Sequence, residues 1–368
     1  MTARIRRVVV VGNGIAGLTA ADSLRDAGFD GELTIVGDEP HPAYSRPALS
    51  KALLLGGGDL SAHELPPATH GAEELLGVRA SGLDVERRLV RLADGTALPY
   101  DRLVIATGSR ARRLSELPGE FTLRGLDDAL ALRDRLAGRP DVAVVGGGPL
   151  GMEIASACLA SGCRVTLVSQ GPPLIEHLGP YLSEVFAEAA RERGLTIVET
   201  AAARLEPGVR VRLAEGGVVE AGLVVSAVGD VPNTEWLAGS GLTGGGALRV
   251  CSRGLVRPDI AAAGDLAAYG KRRVPLWNSA IEQARVAAAA LLRGDEAPPL
   301  RFRPYFWTEQ FGLSLKAVGE LPVRGEPEYV EGGPAGAGLM RWSHGDGSGT
   351  AVALNHRIPI PRLRRAAA

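Results

Sequence analysis

The feature that most constrains this chain is a glycine pattern that occurs twice, each time directly after a run of apolar residues. Both copies have the spacing Gly-x-Gly-x-x-Gly, at Gly12, Gly14 and Gly17 and again at Gly146, Gly148 and Gly151. An alanine-rich stretch with helical spacing follows each copy. A buried strand, a tight turn and a helix whose N-terminus faces a pyrophosphate are what a dinucleotide-binding fold requires. One copy alone would be weak support, but two copies in matching context predict two dinucleotide sites.

Length and composition agree with several α/β domains. The 368 residues suffice for two or three cores, and the 49 glycines show no collagen-like period. The net charge of −1 gives no argument for a nucleic-acid or membrane partner, and no uninterrupted apolar run reaches the length of a membrane span. Three cysteines, an odd number, argue against a disulfide framework and favour a reducing cytoplasm.

The segment after the first fingerprint supplies polar residues that suit such a site. A short strand over residues 33–36 ends before Asp38 and Glu39, either of which can accept hydrogen bonds from an adenosine ribose. Arg46 and Lys51 then bring two positive charges, which suit a pyrophosphate or a reduced, anionic cofactor ring. The plainer interpretations, an acidic turn and a solvated basic loop, stay open at this point.

Further elements are expected along the chain. The pattern predicts a second helix over residues 73–76, followed by an antiparallel hairpin over residues 85–92 and 98–106. Residues 107 and 108 form a small-residue turn that lets the backbone lie against a flat ligand. A long helix over residues 281–292 is expected after Trp277, and residues 362–366 are expected to fray.

The second fingerprint lacks the charge that usually follows its second strand. A ribose-binding acid is expected near Ser169, but neither Ser169 nor Gln170 is charged, and no arginine follows until Arg191. The choice between NADH and NADPH therefore stays open. Glu153 lies inside the fingerprint helix near its positive end, where compensation of the helix dipole is the plain alternative to a catalytic role.

Cysteine and histidine give no sign of a metal or redox centre. Cys158 and Cys163 have the spacing of some redox disulfides, but they fall on different helix faces, which favours buried thiols. No Cys and His cluster has metal-ligand spacing, so no metal is expected. The six histidines are expected on the surface or in loops: His41, His63, His70, His177, His344 and His356.

Several motifs together resemble the FAD-dependent NAD(P)H reductases of ferredoxin and rubredoxin, a family that includes reductase components of cytochrome P450 and aromatic-ring dioxygenase systems. Besides both fingerprints, the resemblance rests on Arg46-Pro47-x-Leu49-Ser50-Lys51, Ala106-Thr107-Gly108, Gly229-x-x-Pro232-Asn233, Ala263-Gly264-Asp265 and Phe306-Trp307-x-x-Gln310. The first of these motifs is the most specific. Related disulfide reductases carry cysteines near that place and this chain carries none, which excludes their mechanism.

The resemblance implies an α/β fold of the glutathione-reductase-like type. It implies two Rossmann-like, three-layer dinucleotide-binding domains and a small α+β C-terminal domain. The FAD-binding domain would comprise residues 1–113 and 232–298, the NAD(P)H-binding domain residues 114–231, and the C-terminal interface domain residues 299–368. A monomer or a homodimer is expected.

The resemblance also implies the residues of each site. FAD would contact Gly12, Gly14, Ile15, Ala16, Gly17, Asp38, Arg46, Lys51, Ala80, Thr107, Gly108, Arg124, Gly264, Asp265 and Trp277. NAD(P)H would contact Gly146, Gly148, Leu150, Gly151, Glu153, Ser169, Gly229 and Trp307. Lys51 and Glu153 would form the catalytic pair beside flavin N5, with Lys51 stabilising the anionic reduced ring.

The implied activity is hydride transfer from NAD(P)H to flavin N5, after which electrons leave singly to a ferredoxin-type iron–sulfur protein that serves a monooxygenase or dioxygenase. Two alternatives stay open. One is an NAD(P)H-dependent flavin oxidoreductase that acts on a small molecule or oxygen. The other is a redox-sensing flavoprotein similar to apoptosis-inducing factor. A cytoplasmic protein with neither a nucleic-acid nor a membrane partner is expected.

Overall fold

The computed structural model describes residues 4–55, 63–66, 68–302, 304–333, 336–345 and 347–368. Within these ranges the helices are α1 (Ile15–Asp26), α2 (Leu126–Leu136), α3 (Pro149–Ala160), α4 (Ile175–Leu178), α5 (Pro180–Glu192), α6 (Trp277–Arg293) and α7 (Ile360–Ala366). None of these helices has the length and apolarity that crossing a membrane requires.

The strands of the first part of the chain are β1 (Arg7–Val11), β2 (Glu32–Gly37), β3 (Glu73–Leu76), β4 (Ala80–Asp84), β5 (Leu89–Leu92), β6 (Ala97–Pro99), β7 (Arg102–Ile105), β8 (Ser109–Ala111), β9 (Glu120–Phe121), β10 (Val142–Val145), β11 (Val165–Ser169) and β12 (Thr196–Glu199). The remaining described strands are β13 (Ala202–Glu206), β14 (Arg210–Leu213), β15 (Val218–Glu220), β16 (Leu223–Ser226), β17 (Asp230–Pro232), β18 (Leu248–Val250), β19 (Leu255–Arg257), β20 (Ile260–Ala262), β21 (Ala267–Tyr269), β22 (Arg272–Arg273), β23 (Tyr305–Gln310), β24 (Leu313–Val318), β25 (Glu328–Gly332), β26 (Gly338–Ser343) and β27 (Gly349–Leu354).

The chain divides into two compact units, each made of separate segments. The first unit comprises Met1–Ser45, Ser61–Arg110 and Val231–Phe302, and the second comprises Arg46–Leu60, Ala111–Asp230 and Arg303–Ala368. Each unit contains one of the two fingerprints, and each is described by itself below. The finer division into three domains stays a prediction.

The first unit is a three-layer α/β structure around a six-stranded sheet with the order β19-β20-β7-β1-β2-β3. Strand β1 lies in its middle, paired in parallel with both β2 and β7, and Val8–Val11 are buried, as a central parallel strand requires. Helices α1 and α6 pack against one face of the sheet, where their alanines form a close-packed core. Residues of β4, β5 and β18 cover the other face.

The second unit holds two sheets. One is a parallel sheet with the order β12-β11-β10-β16-β9, in which β10 occupies the place that β1 has in the first unit. The other is an antiparallel sheet with the order β23-β24-β27-β26-β25, against which α7 packs. Helix α3 contacts β10 and β11 on one side and β23 of the antiparallel sheet on the other. These sheets confirm the predicted fold class.

Three local expectations are wrong. Residues 73–76 form β3, a strand rather than a helix, because parallel pairing with β2 overrides their ambiguous pattern. Only part of the expected hairpin exists: β5 pairs antiparallel with β6, whereas β7 joins the parallel sheet beside β1. The C-terminal residues do not fray, because α7 buries Leu363 against the antiparallel sheet.

Candidate active site

The first fingerprint forms a turn in which two glycines are packed and one is open. A Cβ on Gly12 would lie 2.1 Å from the carbonyl oxygen of Ala106, and one on Gly17 would lie 1.8 Å from the carbonyl oxygen of Gly12. A Cβ on Gly14 would have no described atom within 4 Å. Within the described chain, no side chain caps α1 and no acidic residue lies in its first turn, so its N-terminal amides face this opening.

The end of strand β7 is held next to this turn. The Thr107 hydroxyl donates to the main-chain oxygen of Asn233 over 2.7 Å, and the Asn233 side-chain amide donates back to the Thr107 carbonyl over 2.9 Å. Gly108 adopts a positive φ of 63° where the chain turns away. The reciprocal bonds explain why the motifs around Gly108 and Asn233 occur in one sequence.

The residues around α6 complete this side of the unit. The Gly264 amide donates to Gln283 Oε1 over 2.9 Å, and Gln283, which is fully buried, donates to the Ser279 hydroxyl. A Cβ on Gly264 would lie 3.0 Å from that of Ala16, so this loop comes to the start of α1. Trp277 is the first residue of α6, and Asp265 is half-buried beside Gly264.

The acidic pair after β2 divides into two environments. Asp38 is exposed, whereas Glu39 is half-buried and accepts a hydrogen bond of 2.5 Å from the Tyr44 hydroxyl. Asp38 is therefore the better placed of the two for a ribose hydroxyl. Ala80 is buried in the core that covers the sheet, at the start of β4.

The second fingerprint repeats the first turn within the second unit. A Cβ on Gly146 would lie 2.3 Å from the Ala227 carbonyl oxygen, and one on Gly151 would lie 1.8 Å from the Gly146 carbonyl oxygen. Helix α3, like α1, has no side-chain cap and no acid in its first turn among the described residues. The cradle at Gly148 differs, because the His177 ring lies beside it, with Cε1 3.4 Å from the place of a Cβ.

The neighbours of this second turn occupy different depths. Ser169 is buried at the end of β11, and its hydroxyl lies 2.1 Å from where a Cβ on Gly147 would be. Leu150 is exposed in the first turn of α3, and Gly229 takes a positive φ of 99°. Desolvation of the ring lowers the pKa of His177, although the charge of neighbouring Glu176 opposes the shift.

The second unit also contains the charged pair. Lys51 Nζ lies 2.7 Å from Glu153 Oε2, and the two side chains are only 16% and 8% exposed. The Ser50 hydroxyl donates to the same carboxylate oxygen, and the Thr308 hydroxyl donates to Oε1 over 2.6 Å. These hydrogen bonds hold the carboxylate and the ammonium group in one place.

The ring of Trp307 flanks the lysine. Lys51 Nζ lies 4.5 Å from the centre of that ring, which is the distance of a cation–π contact. The backbone carbonyl of Pro47 also accepts from Lys51 Nζ over 3.3 Å. The ammonium is thus fixed by an anion, an aromatic face and a carbonyl, so it can stabilise negative charge that develops on a ligand next to it.

Two further cations predicted from the sequence lie in the second unit. The Arg46 guanidinium donates to the Arg124 carbonyl over 2.8 Å, and the Arg124 amide donates to Asp128 Oδ2 over 2.9 Å. The structure therefore brings Arg46 and Arg124 together, as it does Lys51, Glu153 and Trp307. The other residues of the predicted FAD set belong to the first unit.

Some contacts of the site could not be predicted from the sequence. The contacts of Ser50 and Thr308 with Glu153, and of His177 with Gly148, join positions far apart in the chain, so no local pattern marks them. His70 lies in a bend before β3, in agreement with the expectation of a surface or loop residue, and it is buried, with Nδ1 accepting the Ala72 amide. Cys158 and Cys163 are free, buried thiols, as expected.

Comparison with known proteins agrees with this geometry. Residues 6–284 match the model of the pyridine nucleotide-disulphide oxidoreductase family. The chain is 36% identical over 332 residues to the p-cumate 2,3-dioxygenase system ferredoxin–NAD(+) reductase component of Pseudomonas putida, covering 86% of this chain and 82% of that protein. It is 36% identical over 347 residues to rhodocoxin reductase of Rhodococcus erythropolis, covering 88% and 80%.

A solved structure gives the same result in three dimensions. The crystal structure of the covalent putidaredoxin reductase–putidaredoxin complex has a TM-score of 0.87 and 29% sequence identity to this chain. The match covers 98% of this chain and 92% of that one.

Proposed function

This chain belongs to the pyridine nucleotide-disulphide oxidoreductase family, and we propose that it is an FAD-dependent NAD(P)H reductase whose electrons leave singly to a ferredoxin-type iron–sulfur protein. It is an NAD(P)H-dependent flavoprotein oxidoreductase, like the relatives reported above. The names of those relatives, two of which are components of electron-transfer systems with a ferredoxin or putidaredoxin, support the choice of acceptor. We expect this acceptor to serve a monooxygenase or dioxygenase.

The first unit fits FAD. Gly14 leaves room for phosphates at the uncapped N-terminus of α1, and Asp38 is exposed where an adenosine ribose would reach it. We assign the predicted FAD-binding residues to this site. The turn at Thr107 and Gly108, the loop at Gly264 and Asp265, and Trp277 would surround the cradle. The resemblance also assigns Arg46, Lys51 and Arg124 to FAD, and these three residues belong to the second unit.

The second unit fits the nicotinamide nucleotide. Gly146, Gly148 and Gly151 repeat the phosphate cradle at the start of α3, whose amides likewise have no side-chain cap in the described chain. We assign Leu150, Ser169 and Gly229 to the same site. Leu150 is in the first turn of α3, Ser169 lies against Gly147, and Gly229 follows β16, which pairs with β10. Glu153 and Trp307 would complete it at the end where chemistry occurs.

When bound, FAD supplies the chemistry that joins a two-electron donor to a one-electron acceptor. The chain's own contribution is electrostatic. Lys51 provides a fixed positive charge where negative charge develops, and Glu153 keeps that ammonium in place and balances it. Trp307 also contacts the ammonium through the face of its ring.

The observation that carries this proposal is the buried pair of Lys51 and Glu153, and Lys51→Met tests it. We expect this variant to slow reduction of the bound flavin by NADH about a hundredfold in anaerobic stopped-flow measurements. Lys271→Met is the matched control, because Lys271 is exposed on the first unit and should leave the rate unchanged. An unchanged rate in Lys51→Met would remove the lysine from the mechanism.

The acceptor is tested by turnover. We expect NADH oxidation to be fast with [2Fe–2S] ferredoxins and slow with quinones or oxygen alone. Fast turnover with quinones and none with ferredoxins would instead favour a small-molecule oxidoreductase. Slow flavin reduction and a long-lived charge-transfer complex with NADH would favour a redox sensor. We further propose a cytoplasmic location, which the three free cysteines support.

A further inference from the structure

The Glu153 carboxylate is surrounded by donors. Lys51 and Ser50 donate to Oε2, and Thr308 donates to Oε1. Glu153 itself is 7% exposed, so water contributes little to its solvation. Each of these partners presents a proton, so both carboxylate oxygens act as acceptors and the hydrogen bonds fix the orientation of the group.

The direction of the Thr308 hydroxyl is the least obvious part of this arrangement. That hydroxyl has a single proton, and it lies between Glu153 Oε1 at 2.6 Å and Gln310 Nε2 at 3.0 Å. Because the charged oxygen is the stronger acceptor, the proton points to Glu153, and Gln310 must present its NH2 group to the Thr308 oxygen. Thr308 and Gln310 are 0% and 4% exposed, so no solvent competes for these bonds.

Strand β23 contacts both members of the charged pair, Lys51 and Glu153. Consecutive residues of β23 point to opposite faces, so Thr308 and Gln310 share the face toward α3 while Trp307 lies on the other. Trp307 contacts the Lys51 ammonium and Thr308 binds the Glu153 carboxylate. The Phe311 amide donates to Ser156 of α3 over 2.8 Å, which fixes the strand against the helix that carries Glu153.

We propose that Thr308 is a positioning residue of the hydride-transfer site: its hydroxyl, directed by Gln310, orients the Glu153 carboxylate so that Oε2 faces Lys51. The proposal rests on the proposed function, because it assigns the purpose of this orientation to the fixed charge on Lys51. Thr308 is assigned to neither the nucleotide site nor the flavin site, and it acts only through Glu153.

The first test compares Thr308→Val, which keeps the shape and removes the hydroxyl, with Thr308→Ser, which restores a hydroxyl. We expect Thr308→Val to reduce the rate of flavin reduction by NADH about tenfold with less than a threefold change in NAD+ affinity, and Thr308→Ser to stay within about twofold of the parent. Thr350→Val is the matched control, because Thr350 is a fully buried threonine of the same sheet whose hydroxyl binds the Glu320 carbonyl instead.

The second test reports on the carboxylate without turnover. Infrared spectra of the oxidised, nucleotide-free holoprotein are recorded at constant pH, and the carboxylate stretching band of Glu153 is identified by its loss in Glu153→Gln. We expect this band to change frequency in Thr308→Val, because one of the hydrogen bonds to the carboxylate is lost, and to keep its frequency in Thr308→Ser. Gln310→Glu should resemble Thr308→Val, because a carboxylate at position 310 draws the Thr308 proton away from Glu153.

The outcomes separate the inference from the function. If Thr308→Val leaves the rate and the infrared band unchanged, or if Thr308→Ser fails to restore them, the inference is wrong. If Thr308→Val does not fold, Gln310→Glu carries the same comparison with Thr308 in place. A parent protein whose flavin NADH does not reduce would overturn the proposed function, whereas the infrared test would still decide whether Thr308 positions Glu153.

Discussion

The two fingerprint turns have nearly the same backbone, but they differ in which segment supplies the side chain between the turn and the strand opposite it. In the first turn the middle residue is Asn13, and the strand opposite ends at Gly37, where a Cβ would lie 2.8 Å from that of Asn13. In the second turn the middle residue is Gly147, and the strand opposite ends at Ser169, whose hydroxyl occupies the space of a Cβ on Gly147. The strand registers make Gly37 and Ser169 equivalent, since each follows the partner of the last valine before the turn.

This difference shows how one backbone accommodates two arrangements of side chains. The glycines that contact backbone are the same in both turns, so they serve the turn itself. The space between the turn and the strand end admits one side chain, contributed by the turn in one unit and by the strand in the other. The first cradle then leaves Asp38 exposed, whereas the second places a buried, uncharged serine where a ribose acid was expected.

The largest effect is expected where the turns are alike. In Gly17→Ala the new Cβ would meet the Gly12 carbonyl at 1.8 Å, and because backbone cannot move aside as a side chain can, we expect destabilisation of about 3 kcal/mol and loss of bound FAD. Gly151→Ala creates the same clash in the second unit and should retain FAD but lose reduction by NADH. Flavin absorbance per mole of protein and stopped-flow reduction measure the two effects.

A control for these variants is Gly244→Ala in the first unit, because a Cβ there would have no described atom within 4 Å and its φ is not positive. It should retain both FAD and reduction by NADH. If Gly17→Ala and Gly151→Ala lost FAD equally, the assignment of one ligand to each turn would be wrong.

The next effect tests the exchange of side chains between turn and strand. Gly147→Ala should destabilise the protein by about 2 kcal/mol, because its Cβ would lie 2.1 Å from Ser169 Oγ and 2.8 Å from Ser169 Cβ. Adding Ser169→Gly removes both clashes and should recover most of the loss. Free energies of unfolding for the two single variants and the double variant form the cycle, and a coupling near zero would contradict the shared space.

The sequence predicted the two cradles because each depends on residues that are close together in the chain. The buried strand, the glycine spacing and the helix after it are local, and both turns formed as expected. The Asn13–Gly37 and Gly147–Ser169 pairs could not be predicted in this way, because they compare a turn with a strand end that the fold brings opposite it. The same holds for Thr308 and Glu153, which meet only because β23 packs on α3.

The wrong expectations also have a physical reason. Residues 73–76 have no clear period, and their strand exists because β2 offers an unpaired edge with matching register. His70 lies in a loop, as expected, but its burial could not be predicted, because it depends on the imidazole accepting a main-chain amide. In both cases main-chain hydrogen bonds decide the structure, and residue type alone does not indicate them.

A smaller effect concerns the choice of nucleotide. Ser169→Asp restores an acid at the strand end of the second unit, where it would bind the ribose hydroxyls of NADH and repel the 2′-phosphate of NADPH. We expect the ratio of kcat/KM for NADH to that for NADPH to increase about tenfold, which corresponds to about 1.4 kcal/mol. Ser226→Asn is a control for polar change at a neighbouring strand end, and an unchanged ratio in Ser169→Asp would mean that the ribose is bound elsewhere.

The smallest effect concerns the His177 ring, which lies beside Gly148 of the second turn, whereas no described atom lies within 4 Å of a Cβ on the equivalent Gly14. Desolvation lowers the pKa of His177 below its ordinary value, so the imidazole is neutral at pH 7, and the free protein loses stability as the pH falls through this lowered pKa. A nucleotide phosphate bound at Gly148 would favour the charged ring and raise the pKa again.

We therefore expect NAD+ to bind the oxidised protein about threefold more tightly at pH 5.5 than at pH 7.5, measured by titration calorimetry. His177→Gln should remove this pH dependence, whereas FAD content should stay constant across the range, because a Cβ on Gly14 has no described atom, ionisable or otherwise, within 4 Å. If the affinity for NAD+ depended on pH equally in the parent and in His177→Gln, the nucleotide phosphates would bind away from the His177 ring.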